Sequence, residues 1–331
     1  MNFVKPNVEV WKQMAPMGEI NLQNRQVFVD MYKKLMFQHI ERCGRVCYKS
    51  EDKLGEKDPK IFVDRMIKSG HLSVLEHGTV YLKDTFDVSA VGSWQHSLGD
   101  KYSKNPFSIV RRDSHMDIQG IYITTNYRVI VENGWEEDLQ KVCFPTPYHA
   151  LRITACFTTD IGVSREANRH RKNSISEEST RYCNYSKEKF GAGINYTVPA
   201  DIDGDTIGDR LYDVYPIVSF KGTKDECIDK LFTGEWDAID WWLWGLACCE
   251  ISYLKQIELG RTPQQARRSL PLNTKSTLVH TAFVKDWEHF LDLRSRGTTG
   301  APHPDMKLVA DKLLKIMENE KKEVSSGHSP Q

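Results

Sequence analysis

Apolar and polar positions follow two periods along this chain, and the switches between them predict most of its elements. From Asn21 to Ile40 the residues Val27, Phe28, Met31, Leu35 and Met36 recur at three- and four-residue steps, which brings them to one face of an α-helix. Residues 58–69 predict a second, shorter helix, and Thr79-Val80-Tyr81-Leu82 predicts a strand, because β-branched and aromatic side chains suit a half-buried pleated surface. Between residues 88 and 118 Ser, Gly, Asn and charges follow no sustained period, the pattern of an insertion or surface subregion. The β-formers of Ile121–Thr125 and Tyr127–Val131 predict extended chain, with a turn at Glu132-Asn133-Gly134 and a short helix after it.

Further along, Leu151–Phe157 predicts a strand leading into a helix from Gly162 to Arg171, and residues 200–226, with Asp-Gly-Asp and Pro, predict a loop-rich excursion. Residues 227–259 predict a long helix ended by Gly260, since glycine tolerates the left-handed position beyond a helix C-terminus. The next helix has a start signal: Thr262 as cap, Pro263 at the first helical position and Gln265 completing a capping box. A strand at Thr277–Phe283 and helices at Lys285–Arg294 and Asp305–Met317 complete the pattern, and polar Lys321–Gln331 predicts a frayed, flexible tail.

Composition narrows the class. The chain has 331 residues, 40% hydrophobic and 27% charged, the balance of a soluble globular protein. Its 45 Lys and Arg equal its 45 Asp and Glu, so no global positive field favours nucleic acid. The most apolar stretch, Trp241–Cys249, is about half the roughly 20 residues a membrane-spanning helix needs. Met1–Pro6 shows no apolar run after a basic start, so no secretory signal is expected and a cytoplasmic location is. The eight cysteines are too sparse for a disulfide scaffold and none forms a C-x2-C pair, so reduced structural thiols and no metal site are expected.

Candidate chemistry concentrates in Arg165–Lys172 and the Asn173–Tyr182 segment that follows, where guanidiniums, hydroxyls and carboxylates fill eighteen residues. On a helix Arg165 and Arg169 would share a face while Arg169 and Arg171 would point about 200° apart, toward different partners. Composition alone reads first as a solvated charged face and second as a nucleotide cradle, since guanidinium forks bind phosphate or carboxylate bidentately. The His71–His77 segment carries two histidines and Glu76, but a six-residue step from one histidine to the next does not align them as the four-residue step of H-E-x-x-H does, and structural hydrogen bonds are the first reading. Ala266–Pro271 and His289–Arg294 place cations at helix C-termini, which the helix dipole alone explains. Trp241, Trp242 and Trp244 read as core or subunit interface. A phosphate loop is absent, and Gly191-Ala192-Gly193 lacks the third glycine of a dinucleotide fingerprint.

Arg169-His170-Arg171, seven residues and then Ser179 resemble the R-H-R-x7-S signature of the flavin-dependent thymidylate synthases, the ThyX family. Phe157–Ser164 and Glu178–Ser186 extend the likeness, and His71-x-Ser73-x-x-Glu76-His77, Ala266-Arg267-x-x-Leu270-Pro271 and His289-Phe290-x-x-x-Arg294 are similar to three further blocks in the same order. The resemblance implies an α/β fold, a central mixed sheet flanked by helices, in one catalytic domain over 1–320 with insertions at 88–150 and 200–226. It implies reductive methylation of dUMP to dTMP with 5,10-methylenetetrahydrofolate, NADPH and FAD, in a homotetramer whose sites are shared between subunits. Carried over, Arg294 is the catalytic residue, activating the uracil; Glu166, Arg169, Ser179, Arg181, Arg267 and Arg294 face dUMP; and His77, Thr79, Arg169, His170, Arg171, Glu177 and His289 meet FAD. The chain departs from the family at Ser176 and Phe283, where Asn is usual, and at Ala167 and Asn168, where apolar residues are usual. A flavin- and folate-dependent pyrimidine nucleotide hydroxymethylase and a non-catalytic nucleotide-binding homologue are the alternatives.

Overall fold

A computed structural model of the chain describes residues 1–14, 24–87, 98–115, 118–218 and 236–325. The strands are β1 (Asn2–Val4), β2 (Asn7–Trp11), β3 (Thr79–Asp87), β4 (Ile109–His115), β5 (Ile118–Asn126), β6 (Arg152–Asp160), β7 (Ser174–Glu177), β8 (Asn195–Thr197) and β9 (Lys275–Phe283). The helices are α1 (Arg25–Val46), α2 (Pro59–Lys68), α3 (Leu98–Ser103), α4 (Tyr127–Asn133), α5 (Ile161–Ala167), α6 (Ile207–Val218), α7 (Ala238–Glu258), α8 (Pro263–Ala266), α9 (Val284–Arg294) and α10 (Pro304–Ser325), with short 3₁₀ turns between them.

The fold is α/β, with helices against sheets, as expected. Its central sheet, expected to be mixed, is antiparallel throughout, in the order β2-β6-β9-β7. One face packs on α9 and α10 through Phe157, Leu278, Trp287, Phe290 and Leu313. The other meets α1 through Cys43 and Val46, against Cys156 and Val279. A second antiparallel sheet, β3-β5-β4, forms a separate core with α1, α2 and α4, and among the described strands β1 and β8 pair in parallel.

Several elements differ from the sequence pattern. Tyr127–Val131 is helical, not extended: Asn126 accepts a hydrogen bond from the Val129 N–H, Gly134 closes the turn at φ +66, and Tyr127, Val129 and Ile130 are buried. Capping and burial there override β-propensity. The helix expected to run to Arg171 stops at Ala167, so Arg169 and Arg171 lie on a turn and the helical-face argument does not apply to them. The described part of 88–118 contributes α3 and β4, with Tyr102 in the core. Within 200–226, Ile207–Val218 is a helix. The long helix begins at Ala238, capped reciprocally by Asp237 and Asp240, and Gly260 takes the left-handed position beyond it at φ +89. The capping box of Thr262 and Gln265 forms as read, but opens only one α-turn before a 3₁₀ turn at Arg267–Ser269. The last helix runs from Pro304 through Ser325. Expectations for Asn21–Gln23, 88–97, 219–235 and 326–331 lie outside the described residues.

Candidate active site

The end of β6 and the start of α5 set the scene. Buried Asp160 caps α5 through a 2.7 Å bond from the Val163 N–H, and burial raises its carboxyl above the usual range. The chain leaves α5 at Ala167, turns through residues 168–173 and enters β7. That turn faces α9, where Lys285, His289 and Leu293 recur every four residues and so share one stripe. Between them lies a cleft of about 730 Å³ lined by Arg169, His170, Arg171, Lys172, Asn173, Lys285, Asp286, His289, Leu293 and Arg294. A second cleft of about 560 Å³, between Glu166 and the 299–304 loop, shares Leu293 and Arg294 with the first.

Arg294 therefore stands where the two clefts meet, and its guanidinium is held. Nη1 donates to Glu166 Oε2 at 2.9 Å, Nη2 to the Glu166 carbonyl at 3.0 Å and Nε to His170 Nε2 at 3.3 Å. Two of its five N–H donors remain unspent among the described residues. Because His170 Nε2 accepts, its proton belongs on Nδ1. Burial, then the charge of Arg294, then His289 lower the His170 pKa to about 4, so the ring is neutral at physiological pH. It packs on Phe290 at 4.8 Å and edge-on to His289 at 5.9 Å. Five cations and one carboxylate, Asp286, line the larger cleft, a field that favours an anionic ligand.

The remaining expected residues lie elsewhere. Ser179 is held by its N–H to the Cys47 carbonyl at 3.0 Å. Arg181 Nε donates to Gln264 Oε1 at 3.1 Å, and Arg267 Nη1 reaches Thr180 Oγ1 at 3.4 Å. These three form a second group beside α8, and among the described residues no hydrogen bond or ion pair joins it to the Arg294 group. His77 and Thr79 are buried, so neither side chain lines either cleft of this chain. His77 instead belongs to an internal line of hydrogen bonds. It runs from His39 Nε2 to Thr154 Oγ1 (2.9 Å), on to Thr281 Oγ1 (2.7 Å), to His77 Nδ1 (2.8 Å) and from His77 Nε2 to Ser176 Oγ (3.0 Å). Ser176, one of the departures, is thus a partner of His77. Phe283, another, lies under the Arg152 guanidinium at 5.6 Å. Glu177 accepts from Ser276 Oγ and from Asn168 Nδ2, each at 2.9 Å.

Several participants carry no local sequence signal. Lys285 is one more charge on an amphipathic helix, and His280 is a polar residue inside an apolar strand. Glu178 is given no role of its own in the charged run or in the Glu178–Ser186 likeness, yet it is buried. Burial pushes its carboxyl up, and the ammonium groups of Lys275 (2.8 Å) and Lys49 (3.6 Å) outweigh that and hold it below its ordinary value. Burial also raises the pKa of each of the seven described thiols. Among the described residues no group of three or more His, Cys, Asp or Glu side chains is placed to hold a metal ion, and no helix is long and apolar enough to cross a membrane.

A family model described as thymidylate synthase complementing protein matches residues 124–320, more than half of the chain. All the expected site residues except His77 and Thr79 fall inside that match. No curated protein matches. Among solved structures, the UMP/dUMP methylase PolB from Streptomyces cacaoi bound with 5-Br UMP is 15% identical, with 96% of this chain and 92% of that one covered at a TM-score of 0.38. The same methylase with 5-Br dUMP is 21% identical over 51% of this chain and 66% of that one, TM-score 0.36. ThyX from Helicobacter pylori with FAD and dUMP is 17% identical over 50% and 66%, TM-score 0.31. In these last two alignments the chain spans just under two thirds of the relative.

Proposed function

This chain belongs to the thymidylate synthase complementing protein family, and from that premise we propose that it converts dUMP to dTMP by reductive methylation. A methylene carbon comes from 5,10-methylenetetrahydrofolate and a hydride from NADPH, and the C5 proton of the uracil leaves. FAD, when bound, relays the hydride, and the protein's part is to bind, orient and polarise. The cleft between the 168–173 turn and α9 suits such a group: its cations match a pyrophosphate, and His170 and His289 offer ring faces.

One observation carries the reading, the placement of Arg294. A guanidinium pinned by Glu166 and His170 at the meeting of two clefts can direct its two unspent N–H donors at a pyrimidine base in one cleft beside a cofactor in the other. Hydrogen bonds from a permanent cation to the N3 side of uracil stabilise the ionised ring and raise electron density at the carbon to be alkylated. Cysteine chemistry fits less well, because burial disfavours every described thiolate. Ser179, Arg181 and Arg267 supply hydroxyl and guanidinium groups for the sugar and phosphate of dUMP. Because they sit apart from Arg294, we propose a homotetramer in which one subunit's Arg294 cleft faces another's Ser179 group.

The test is tritium release from C5-labelled dUMP with NADPH and methylenetetrahydrofolate each withheld in turn, and mass analysis of the product. Release that needs both, with a methylated product, supports the reading. A hydroxymethylated product replaces it with the sister activity, and absence of release with all components present overturns it.

A further inference from the structure

On β9, Leu278 and Ala282 point into the apolar layer that α9 and α10 cover, and His280 occupies the position between them. An aliphatic residue would pack there without cost, whereas a buried imidazole loses hydration unless both nitrogens find partners. His280 has no exposed surface. Its ring lies edge-on to Phe157 at 6.0 Å and tilted toward Trp287 at 6.3 Å. Both nitrogens are engaged: Nε2 with Asn168 Oδ1 at 3.3 Å and Nδ1 with Asn173 Nδ2 at 3.1 Å.

Those partners are the two ends of the turn that bears Arg169, His170 and Arg171. Within the turn the backbone makes only short-range bonds, such as His170 N–H to the Ala167 carbonyl and Asn173 N–H to the His170 carbonyl. Arg169 and Arg171 are exposed. We propose that His280 is a positioning residue that clamps this turn at both ends and so fixes the arginines and His170 toward the α9 cleft.

Glu177 orients the Asn168 end of the clamp, and the neutrality of the buried ring orients the Asn173 end. Glu177 Oε2 accepts from Asn168 Nδ2 at 2.9 Å, which turns Asn168 Oδ1 toward His280. Nε2 of His280 must then donate. Its Nδ1 is left as the acceptor for the Asn173 amide. Only the neutral, Nε2-protonated ring satisfies both ends, and burial, with the nearby His170, lowers the His280 pKa to about 3, which keeps it neutral. The chain's departure at Asn168 is accounted for in the same way: a polar residue there has His280 and Glu177 to bond.

What the clamp does for function rests on the proposed flavin site, but its existence can be read without flavin. Hydrogen–deuterium exchange over 168–173 in the ligand-free protein is the primary measurement. Asn168→Leu, outside the buried layer, should raise exchange at 168–170 by about tenfold and leave β9 protected. His280→Gln, whose amide can replace Nε2–H toward Asn168 but has nothing at the Nδ1 position, should keep protection at 168–170 and lose it at 172–173. His280→Asn should show the converse. A purely structural histidine would instead loosen β9 and both ends together in the two histidine variants. Unchanged exchange over the turn in Asn168→Leu, or Nδ1-protonated His280 in the nitrogen chemical shifts, overturns the proposal. FAD titration then gives the consequence: Asn168→Leu should bind FAD about tenfold more weakly than the parent protein. A parent that binds no FAD defeats the flavin reading while the exchange pattern still decides the clamp, and equal FAD affinity in parent and variant overturns the positioning role.

Discussion

Arg294 shows how much of a residue's role its neighbours set. By sequence it is a basic residue at the end of α9, where the helix dipole suffices as a reason. In the fold it is spent on Glu166 and His170 on one side and open to two clefts on the other. Arg294→Ala is expected to reduce kcat/KM for tritium release by at least about 10²-fold, the scale of losing a charge-stabilising donor, with FAD absorbance of the purified protein retained. Arg294→Lys should also fail, because an ammonium cannot meet Glu166, His170 and a substrate at once. Near-parental turnover in either variant would remove Arg294 from the reaction. The R-H-R segment, by contrast, was legible as chemistry through its resemblance to a family signature, since its residue types alone read first as a solvated charged face, while His280 carried no such signal. A histidine in an alternating strand reads as a pattern defect until the turn that crosses it is known.

At the level of elements, the pattern located helices and strands well where a long amphipathic stripe or a cap announced them. α2 with its Asp58 cap and Pro59, and the Thr262–Gln265 box, are local stereochemistry, and local stereochemistry is written in adjacent residues. The Tyr127–Asn133 segment failed because its β-forming side chains are buried in a helix that depends on a cap and a tertiary core. Asn126→Ala is therefore expected to cost about 1 kcal/mol in urea unfolding, and Asn126→Asp much less, since either Asn or Asp can accept from the Val129 N–H. Equal stability of the alanine variant would mean that packing alone holds α4. The early end of α5 had no local signal either. It is decided by partners on β7 and β9 that take hold of Asn168 and Asn173 from the side.

Two consequences belong to the molecule as a whole. His39, His77 and His280 are buried far apart in sequence, and burial lowers all three pKa values, to about 3 for His39 and His280. An unfolded chain binds these protons near the ordinary histidine value, so the folded state gains stability above that value and loses it as pH falls toward the lowered ones. Each ring should contribute about 1.4 kcal/mol per pH unit on that limb. Urea midpoints should drop clearly between pH 7 and pH 5, and a flat profile would mean that the buried rings take up protons in the fold as readily as in the unfolded chain. The second consequence follows from the separation of the Arg294 and Ser179 groups. Mixing Arg294→Ala with Arg181→Ala protein under subunit exchange should restore part of the activity that each lacks, and no recovery in exchanged mixtures would argue that each site is built within one chain.

The sequence by itself determined the helices with caps and stripes, the strands with β-branched runs and the identity of the charged and imidazole groups available for chemistry. Those are consequences of bonded neighbours and residue type, which the chain carries in order. Only the tertiary structure decided which groups meet: Arg294 with Glu166 across 128 positions, His280 with both ends of one turn, His77 with Ser176 and Thr281 inside the sheet rather than at a cleft. Such meetings depend on long-range strand pairing and on the cost of burying polar atoms unpaired, and neither is a property of any short stretch of residues.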